Sequence, residues 1–459
     1  MSLPTGTATA VFCYGTCFHR RQDVVAVAIL VDGARHRPTA TGMPRPDLFD
    51  SEPRAFRSGF WGTVPIQPRE EGGTVHMELA VRLADGIEHV VPLGRIEVVE
   101  CRPAPALGRP VEAGLIAVCM ATYEPDMALF RAQIASLRAQ TDRRWVCVIS
   151  DDHSRPEHFA QLRDAVGDDE RFIVSRADRR AGFYRNFERA LGLAPREAEL
   201  LALCDQDDRW HADKLEVLRG ALGSAQLVYC DQRLVDADAR VLRETLWQGR
   251  RNNHTSLASM LVANTITGAA SLFRREVAEL ALPFPDTPGV AFHDHWLALV
   301  ALAAGDVAYV DRPLYDYVQH AGAVFGEVTS GERGCRARAG VRGAYFLGYL
   351  AREVQAQTLL VRCAGRLTDS KRRVLQRYVA ADRSPVALAW LAARPLRAVA
   401  GRNETLGSES ELVRGILWRW LIALLSRGAH RPGRRPLDAS VPGPLSFEQK
   451  RLRRWRARV

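Results

Sequence analysis

Carboxylates stand at the ends of three apolar runs. Thr122-Tyr123-Glu124 follows LIAVCMA (115–121), Ser150-Asp151-Asp152 closes WVCVIS (145–150), and Asp205-Gln206-Asp207-Asp208 follows ELLALC (199–204). Surface acids placed for solubility would spread over helices and loops. Three acids within four residues repel one another, and something positive should offset them. A hard divalent cation is the natural candidate. Mg²⁺ and Mn²⁺ prefer oxygen ligands, and Mg²⁺ typically takes one or two carboxylates plus substrate phosphates. Asp205 and Asp207, two apart in a turn, can point into one cleft. Alone, this tetrapeptide reads as readily as a turn with a helix N-cap, because Asp favours both. Acids at the other two strand ends tip the reading to a site. Asp294, in His293-Asp294-His295-Trp296, opens an apparent helix. A helix N-terminus favours the carboxylate form, which can accept a proton; an N-cap is the plain alternative. His293 and His295 read as neutral packing or hydrogen-bonding residues, and His153 as a loop residue.

These groups need a frame that brings the strand ends together. Apolar β runs alternate with helical patterns: after 115–121 a helix over 126–140, after 145–150 a helix over 156–166, after RFIVS (171–175) a helix over 182–193, and after 199–204 a helix over 211–223. Runs apolar on both faces are parallel strands covered by helices. In such an open sheet ligands bind outside the carboxyl ends of the strands, where the acids lie.

The flanks have other textures. Over residues 20–100 the pattern is all-β: VVAVAILVDG ends in an Asp32-Gly33 turn, Val75, Met77, Leu79, Val81 and Leu83 alternate with other residues, and Ala84-Asp85-Gly86 turns the chain into IEHVVPL. A small antiparallel sandwich is expected. CRPAPALGRPVEAG (101–114) reads as a linker. Beyond about residue 330 the chain reads as helical and basic, with Leu412–Leu425 apolar almost all round and KRLRRWRARV at the end. The division expected is 1–108, 109–330 and 331–459.

CMATYEPD, VISDDHS, AGFYRNFERAL, LALCDQDDRWHADKL, NTITGAASLFRRE and AFHDHWLALVALAAG occur in that order. Together they resemble the family 2 glycosyltransferases of GT-A fold, especially the bacterial branch that builds rhamnose-containing and related surface polysaccharides. The resemblance covers about residues 113–328. It implies an α/β, Rossmann-like, mostly parallel catalytic sheet, here between an N-terminal β-sandwich and a helical basic C-terminal region. It implies a nucleoside diphosphate sugar as donor, with dTDP-rhamnose the leading expectation and UDP-sugars next. The acceptor would be a glycan or lipid-linked glycan. By position, Thr122, Tyr123 and Glu124 would line the nucleotide pocket, and Asp151 or Asp152 would bond the base or ribose. Arg185 and Asn186 match the segment under the nucleotide and its phosphates. Asp205 and Asp207 match the DxD motif, with Asp207 the better candidate for contact with Mn²⁺ or Mg²⁺. Asp208 would help position the sugar, Asp294 matches the catalytic base, and Gly268 and Trp296 would lie on the acceptor side.

TyrValGlnHis (317–320) with AGAVFG resembles a family segment that folds over the donor. His320 there would bind the metal or the diphosphate. Val318 stands where a basic residue is common, and Ala323 replaces a usual Asn, which puts phosphate contacts from this loop in doubt. A non-catalytic carbohydrate- or nucleotide-binding protein on a decayed scaffold is therefore the alternative. A sugar-phosphate nucleotidyltransferase should show a Gly-rich, basic phosphate loop, and none precedes Asp151.

Composition narrows the rest. With 459 residues, 47% hydrophobic and 25% charged, the chain is neither disordered nor collagenous. The nine Cys form no CxxC pair, so a disulfide framework or zinc module is not expected, and Cys119, Cys147 and Cys204 read as small buried hydrophobes. No secretory signal or uncharged 18-residue apolar stretch is evident, so a cytoplasmic protein is expected, at most peripheral to a membrane. Net charge is +10, but residues 331–459 hold 27 Lys and Arg against 9 Asp and Glu, a net of +18. That region would be a helical cap, a peripheral membrane contact through 412–459 with Trp418 and Trp420 inserted, or a dimer contact making a homo-oligomer. Nucleic acid is the weakest partner, because no motif accompanies the charge. In the sandwich, Phe56, Phe60 and Trp61 offer a sugar platform, although core packing is the commoner fate of such aromatics.

Overall fold

The structure is a computed structural model. It describes residues 2–101, 103–110, 112–247, 252–289, 291–320, 340–399, 405, 407–426 and 438–441. Ala323 and the terminal KRLRRWRARV lie outside the described residues. The chain forms two compact units: one of Met1–Arg102, Pro285–Ala291 and Glu332–Val459, the other of Pro103–Phe284 and Phe292–Gly331.

The second unit holds the strand-end acids. Its nine-stranded sheet runs in the order Phe172–Arg176, Trp145–Asp151, Ile116–Thr122, Leu200–Cys204, Ser271–Arg274, Leu227–Asp236, Val307–Gln319 and Arg209–Trp210, with Val241–Arg243 paired to Leu227–Asp236. The first four strands are parallel. In chain order they read third, second, first, fourth, so the direction of strand addition reverses between Ile116–Thr122 and Leu200–Cys204. That reversal opens a crevice at the carboxyl ends. The short Ser271–Arg274 strand is antiparallel to both its neighbours. All four parallel strands expected from the sequence are present, as are helices at Met127–Arg138, Pro156–Val166, Phe183–Gly192 and Lys214–Leu222. The strands Ile116–Met120 and Trp145–Asp151 are buried throughout, which is why their sequences show no alternation.

The first unit begins as the expected sandwich. One sheet orders Ser2–Pro4, Glu88–Val99, Gly73–Leu83, Val24–Val31 and Ala34–His36; the other orders Thr9–Thr16, Gly59–Ile66 and Ala40–Met43. Asp32 and Gly33 both have positive φ, 47° and 82°, as a two-residue hairpin requires. Val75, Met77, Leu79, Val81 and Leu83 all point into the core, the period of two made physical. Phe56, Phe60 and Trp61 are buried, so they pack and offer no sugar platform.

The C-terminal helices belong to this same unit. Residues Ala351–Arg362 lie on the three-stranded sheet: Ala10 donates its amide to Thr358 Oγ1 at 3.2 Å and Thr63 Oγ1 donates to Glu353 Oε2 at 2.6 Å. The Ser408–Leu425 helix crosses the wide-turn segment Ala344–Leu350. Gly415 permits that crossing, since a Cβ there would stand 2.7 Å from the Tyr345 amide nitrogen. Cys119, Cys147 and Cys204 are buried and free, and no described helix is long and apolar enough to cross a membrane.

Candidate active site

The crevice is built from the strand ends upward. Register places Asp151 beside Thr122 and beside Arg176. Asp151 is fully buried. It accepts from Thr122 Oγ1 at 3.3 Å, from Ser154 Oγ at 2.6 Å and from the Ser154 amide at 2.9 Å. Asp152, also buried, takes the amides of Ala181 and Gly182 at 2.7 and 2.8 Å, one on each oxygen. Asn186 bridges two strand ends, donating to Thr122 O at 3.1 Å and Ser150 O at 2.9 Å while accepting from Ser150 Oγ at 2.6 Å. These three side chains face inward and brace the crevice wall. Arg185 is bonded to Glu188 and, at 2.9 Å, to the Phe284 carbonyl.

Other groups stand nearer the mouth. The Arg180 guanidinium lies 4.0 Å over the Tyr123 ring. The Tyr123 amide donates to Gln206 Oε1 at 2.9 Å, so the second residue of the DQDD run ties the first strand end to the fourth. Glu124, at φ 44°, accepts from the Arg155 amide at 2.6 Å and lies 2.7 Å from His158 Nδ1. Arg180 and Gln206 escaped the sequence reading. Gln206 was signalled by its place among the acids; Arg180 has no local signal.

The acid turn is the electrostatic centre. No helix begins at Asp208, for the next helix is capped at Asp213, so the acids are free of the N-cap role. Burial raises the Asp205 carboxyl to about 7, with further contributions from Asp207 and Asp294. Asp208 is fully buried and pushed well up by burial, then by Asp205 and Asp207. Its Oδ1 accepts from the Val318 amide at 3.3 Å, while Oδ2 is buried with no partner. Val318 packs against Leu129 and Val235, so this position in the strand is a core position. His320 follows it and sets Nε2 2.9 Å from Asp207 Oδ2, which holds the imidazole above its ordinary pKa.

One cation answers this charge from beneath. Lys214 is completely buried, with its Nζ 3.5 Å from the Trp210 ring centroid and 4.5 Å from that of Tyr315. It bonds the Ala269 carbonyl and interacts with Asp205 and Asp208. Burial lowers it to about 8. The sequence called for a positive counterpart to the acids, but a lone Lys in an amphipathic helix looks like any solvated one.

Asp294 closes the crevice from the far side. The helix His293–Ala304 is capped at Phe292, so Asp294 sits in its first turn and is not the cap. Its Oδ1 accepts the His295 amide at 2.6 Å, and Gly268 also donates its backbone N–H. Burial raises the carboxyl to about 6. Gly268 has room only for hydrogen: a Cβ would stand 2.8 Å from His293 Nε2 and 3.5 Å from Asp294 Cβ. His293 stacks on Phe187 at 3.7 Å and is held neutral by burial, at about 3. His295 Nε2 is 2.8 Å from the Met260 carbonyl. Trp296 corrects the sequence reading. It is fully buried with its indole N–H bonded to Ala281 O at 3.0 Å, so it is core and does not face an acceptor.

Among the described residues no three His, Cys, Asp or Glu side chains form a ready metal site. The donor set nonetheless fits a hard cation completed by ligand oxygens. Two carboxylates in one turn suffice when a diphosphate supplies the rest, and the partnerless Asp208 oxygen leaves acceptor capacity unfilled beside them.

Residues 117–280 match the family model described as Glycosyl transferase family 2. The chain carries a family 2 glycosyltransferase domain. The sheet just described is its GT-A fold, with the DQDD turn inside the matched span and Asp294 beyond it. No curated protein matches the transferase significantly. Among solved structures, S. aureus TarS 1-349 in complex with UDP-GlcNAc aligns at 13% identity and TM-score 0.41, over 71% of this chain and 95% of that one. Mannosyltransferase PcManGT from Pyrobaculum calidifontis, in complex with GDP-Man and Mn²⁺, aligns at 16% identity and TM-score 0.39, over 69% and 89%.

Proposed function

We propose that the transferase is an inverting, metal-dependent enzyme that moves a sugar from a nucleoside diphosphate sugar to a glycan acceptor, in the building of a bacterial surface polysaccharide. The observation that carries this reading is the meeting of two distant motifs. Asp294 stands close enough to Asp205 to help raise its carboxyl, and Gly268 donates its backbone N–H to Asp294. Asp294, held in place by two backbone amides, takes the proton of the acceptor hydroxyl as that oxygen attacks the anomeric carbon. The bond to the diphosphate breaks on the opposite face, so the configuration inverts. Asp207 and Asp205 would hold Mn²⁺ or Mg²⁺ with the diphosphate, and the ion would supply Lewis-acid neutralisation of the leaving group. His320 lies against Asp207 and orients it; Lys214 limits repulsion within the turn. Tyr123 and Arg180 offer stacking and charge to the nucleotide. dTDP-rhamnose remains the leading donor and UDP-sugars the next, on family resemblance.

The test is a thermal-shift panel of nucleoside diphosphates and nucleotide sugars with and without Mn²⁺, since ligand binding raises apparent stability by mass action. A Mn²⁺-dependent shift with one base, lost in Asp207→Asn and kept in Asp294→Asn, is expected. No shift with any nucleotide, from folded protein, would replace this reading with a non-catalytic binding module.

A further inference from the structure

The first unit holds a cleft of about 750 Å³ between the sandwich and the last helix. Its size suits a small ligand or headgroup. Ala26, Val27, Pro38 and Met43 form an apolar wall, and Arg37, Arg383, Arg419 and Trp420 bring three guanidinium groups and an indole to it. Only one acid lines it, Asp382, and that carboxylate is already taken: Arg419 donates to its Oδ1 from Nε at 2.9 Å and from Nη2 at 2.7 Å. Among the described residues Arg37 has no ion-pair partner, and Arg383 forms no ion pair but lies within electrostatic reach of Asp382 and Glu353. Arg383 donates to Thr39 Oγ1 at 2.8 Å, and both side chains are exposed.

The cleft ends at Leu424, and there a second feature begins. The Ser408–Leu425 helix buries Leu412, Ile416 and Ile422 and leaves Leu417, Leu421, Leu424 and Leu425 between 48% and 60% exposed. At 3.6 residues per turn these four leucines share one face with exposed Arg414. A soluble surface helix normally shows polar residues on its outer face. Here the outer face is leucine, headed by an arginine, beside a basic cleft, in a region of net charge +18 over 331–459.

We propose that this face docks on the surface of an anionic lipid bilayer, with the phosphate of a lipid headgroup in the Arg37–Arg383 cleft and the leucine stripe among the acyl chains. Charge complementarity selects this occupant. A second copy of the chain would bring a second set of arginines outside ion pairs to the same seam. Leu424 belongs to both features, so headgroup and acyl contacts fall on adjacent atoms, as for a helix lying in the interfacial plane. Basic side chains near an anionic surface act additively and are screened by salt.

The experiment is vesicle flotation of the full chain, with neutral phosphatidylcholine vesicles against vesicles carrying phosphatidylglycerol, at low and high salt, and with inorganic phosphate as competitor. Binding to anionic vesicles at least tenfold above neutral ones is expected. Arg37→Gln with Arg383→Gln should remove most of that preference. Leu417→Ser with Leu421→Ser should make the remaining binding fully salt-reversible. Circular dichroism and sedimentation velocity of each variant report folding and assembly. Millimolar phosphate should compete weakly, since it lacks the acyl contacts. The proposal is overturned if folded parent protein stays off anionic vesicles, if phosphate alone displaces it completely, or if the leucine changes dissociate a dimer and leave flotation intact. Nucleotide binding in the other unit does not enter the readout.

Discussion

The two units each bury acidic side chains, and they treat them in opposite ways. In the sandwich unit every carboxylate oxygen of Asp382 and Glu353 is accounted for. Asp382 Oδ1 takes Arg419, Oδ2 takes the Tyr345 hydroxyl at 3.1 Å, and the Tyr345 oxygen in turn accepts the Trp61 indole N–H at 3.0 Å. Glu353 accepts from Thr63 and Gln357, both at 2.6 Å. In the transferase unit Asp208 keeps a partnerless buried oxygen, and Asp205 and Asp208 share one lysine. Yet burial raises the carboxyls of both sets, Asp382 to about 6 and Glu353 to about 7 alongside Asp205 at about 7. A raised carboxyl does not by itself distinguish a site from a brace. Among these acids the unfilled capacity of Asp208 does, because an unpaired buried carboxylate oxygen is costly and persists where a ligand completes it.

The largest test of that contrast is Asp294→Asn. Removing a general base typically costs 10²–10⁴ in rate, so transfer should fall about a thousandfold while Mn²⁺-dependent donor binding, read by calorimetry, stays within a factor of a few. Transfer at the parent rate would place the base elsewhere. Next comes Arg419→Met, which strands Asp382 in the interior. Breaking a buried pair from one side costs about 3–5 kcal/mol, read as a lower denaturant midpoint, and donor affinity should not move. A change in donor affinity would mean that the two units are not energetically separable.

The legible part of this molecule follows from pattern. Strands buried on both faces read as continuous apolar runs, so Ile116–Thr122 and Trp145–Asp151 were plain, as was the alternating Gly73–Leu83 strand. The acids at the strand ends were visible because parallel strands end where ligands bind. What sequence could not give was the direction in which each acid faces. Asp151, Asp152 and Asp208 look alike on paper; only the Ser154, Ala181 and Gly182 amides separate the braces from the site. Trp296 failed for a similar reason, since a residue two after Asp294 on a helix turns about 200° away from it. Lys214 was hidden because its burial depends on Trp210 and on Tyr315, a hundred residues distant.

Lys214→Met sharpens the comparison within the transferase unit. Losing the buried cation that interacts with Asp205 and Asp208 should cost about 2 kcal/mol of stability, and Asp208→Asn in the same chain should recover at least about 1 kcal/mol of it, the coupling expected of contacting charges. Denaturant midpoints of the double-mutant cycle provide the measurement. Simple additivity would mean that Lys214 is held by the Trp210 and Tyr315 rings and owes nothing to the acids.

The smallest effect is the most discriminating, and it concerns sign. Asp294 has its folded carboxyl raised to about 6, above the ordinary value near 4. The folded state therefore binds this proton more tightly than the unfolded state, and the group's contribution to stability is full below pH 4 and lost as pH rises through about 6. Asn carries no such loss. At pH 7.5 Asp294→Asn should be more stable than the parent by on the order of 1 kcal/mol, and at pH 4 the two should coincide. Asp382 is also raised to about 6, so a reading from titration alone would give Asp382→Asn the same sign. The ion pair predicts the reverse: without the carboxylate, Arg419 is left with its charge uncompensated, and the variant should be less stable at pH 7.5. Thermal denaturation of both variants at the two pH values decides the matter. Stabilisation of both would show that burial alone governs these carboxyls, and the distinction between completed and waiting charge would fall with it.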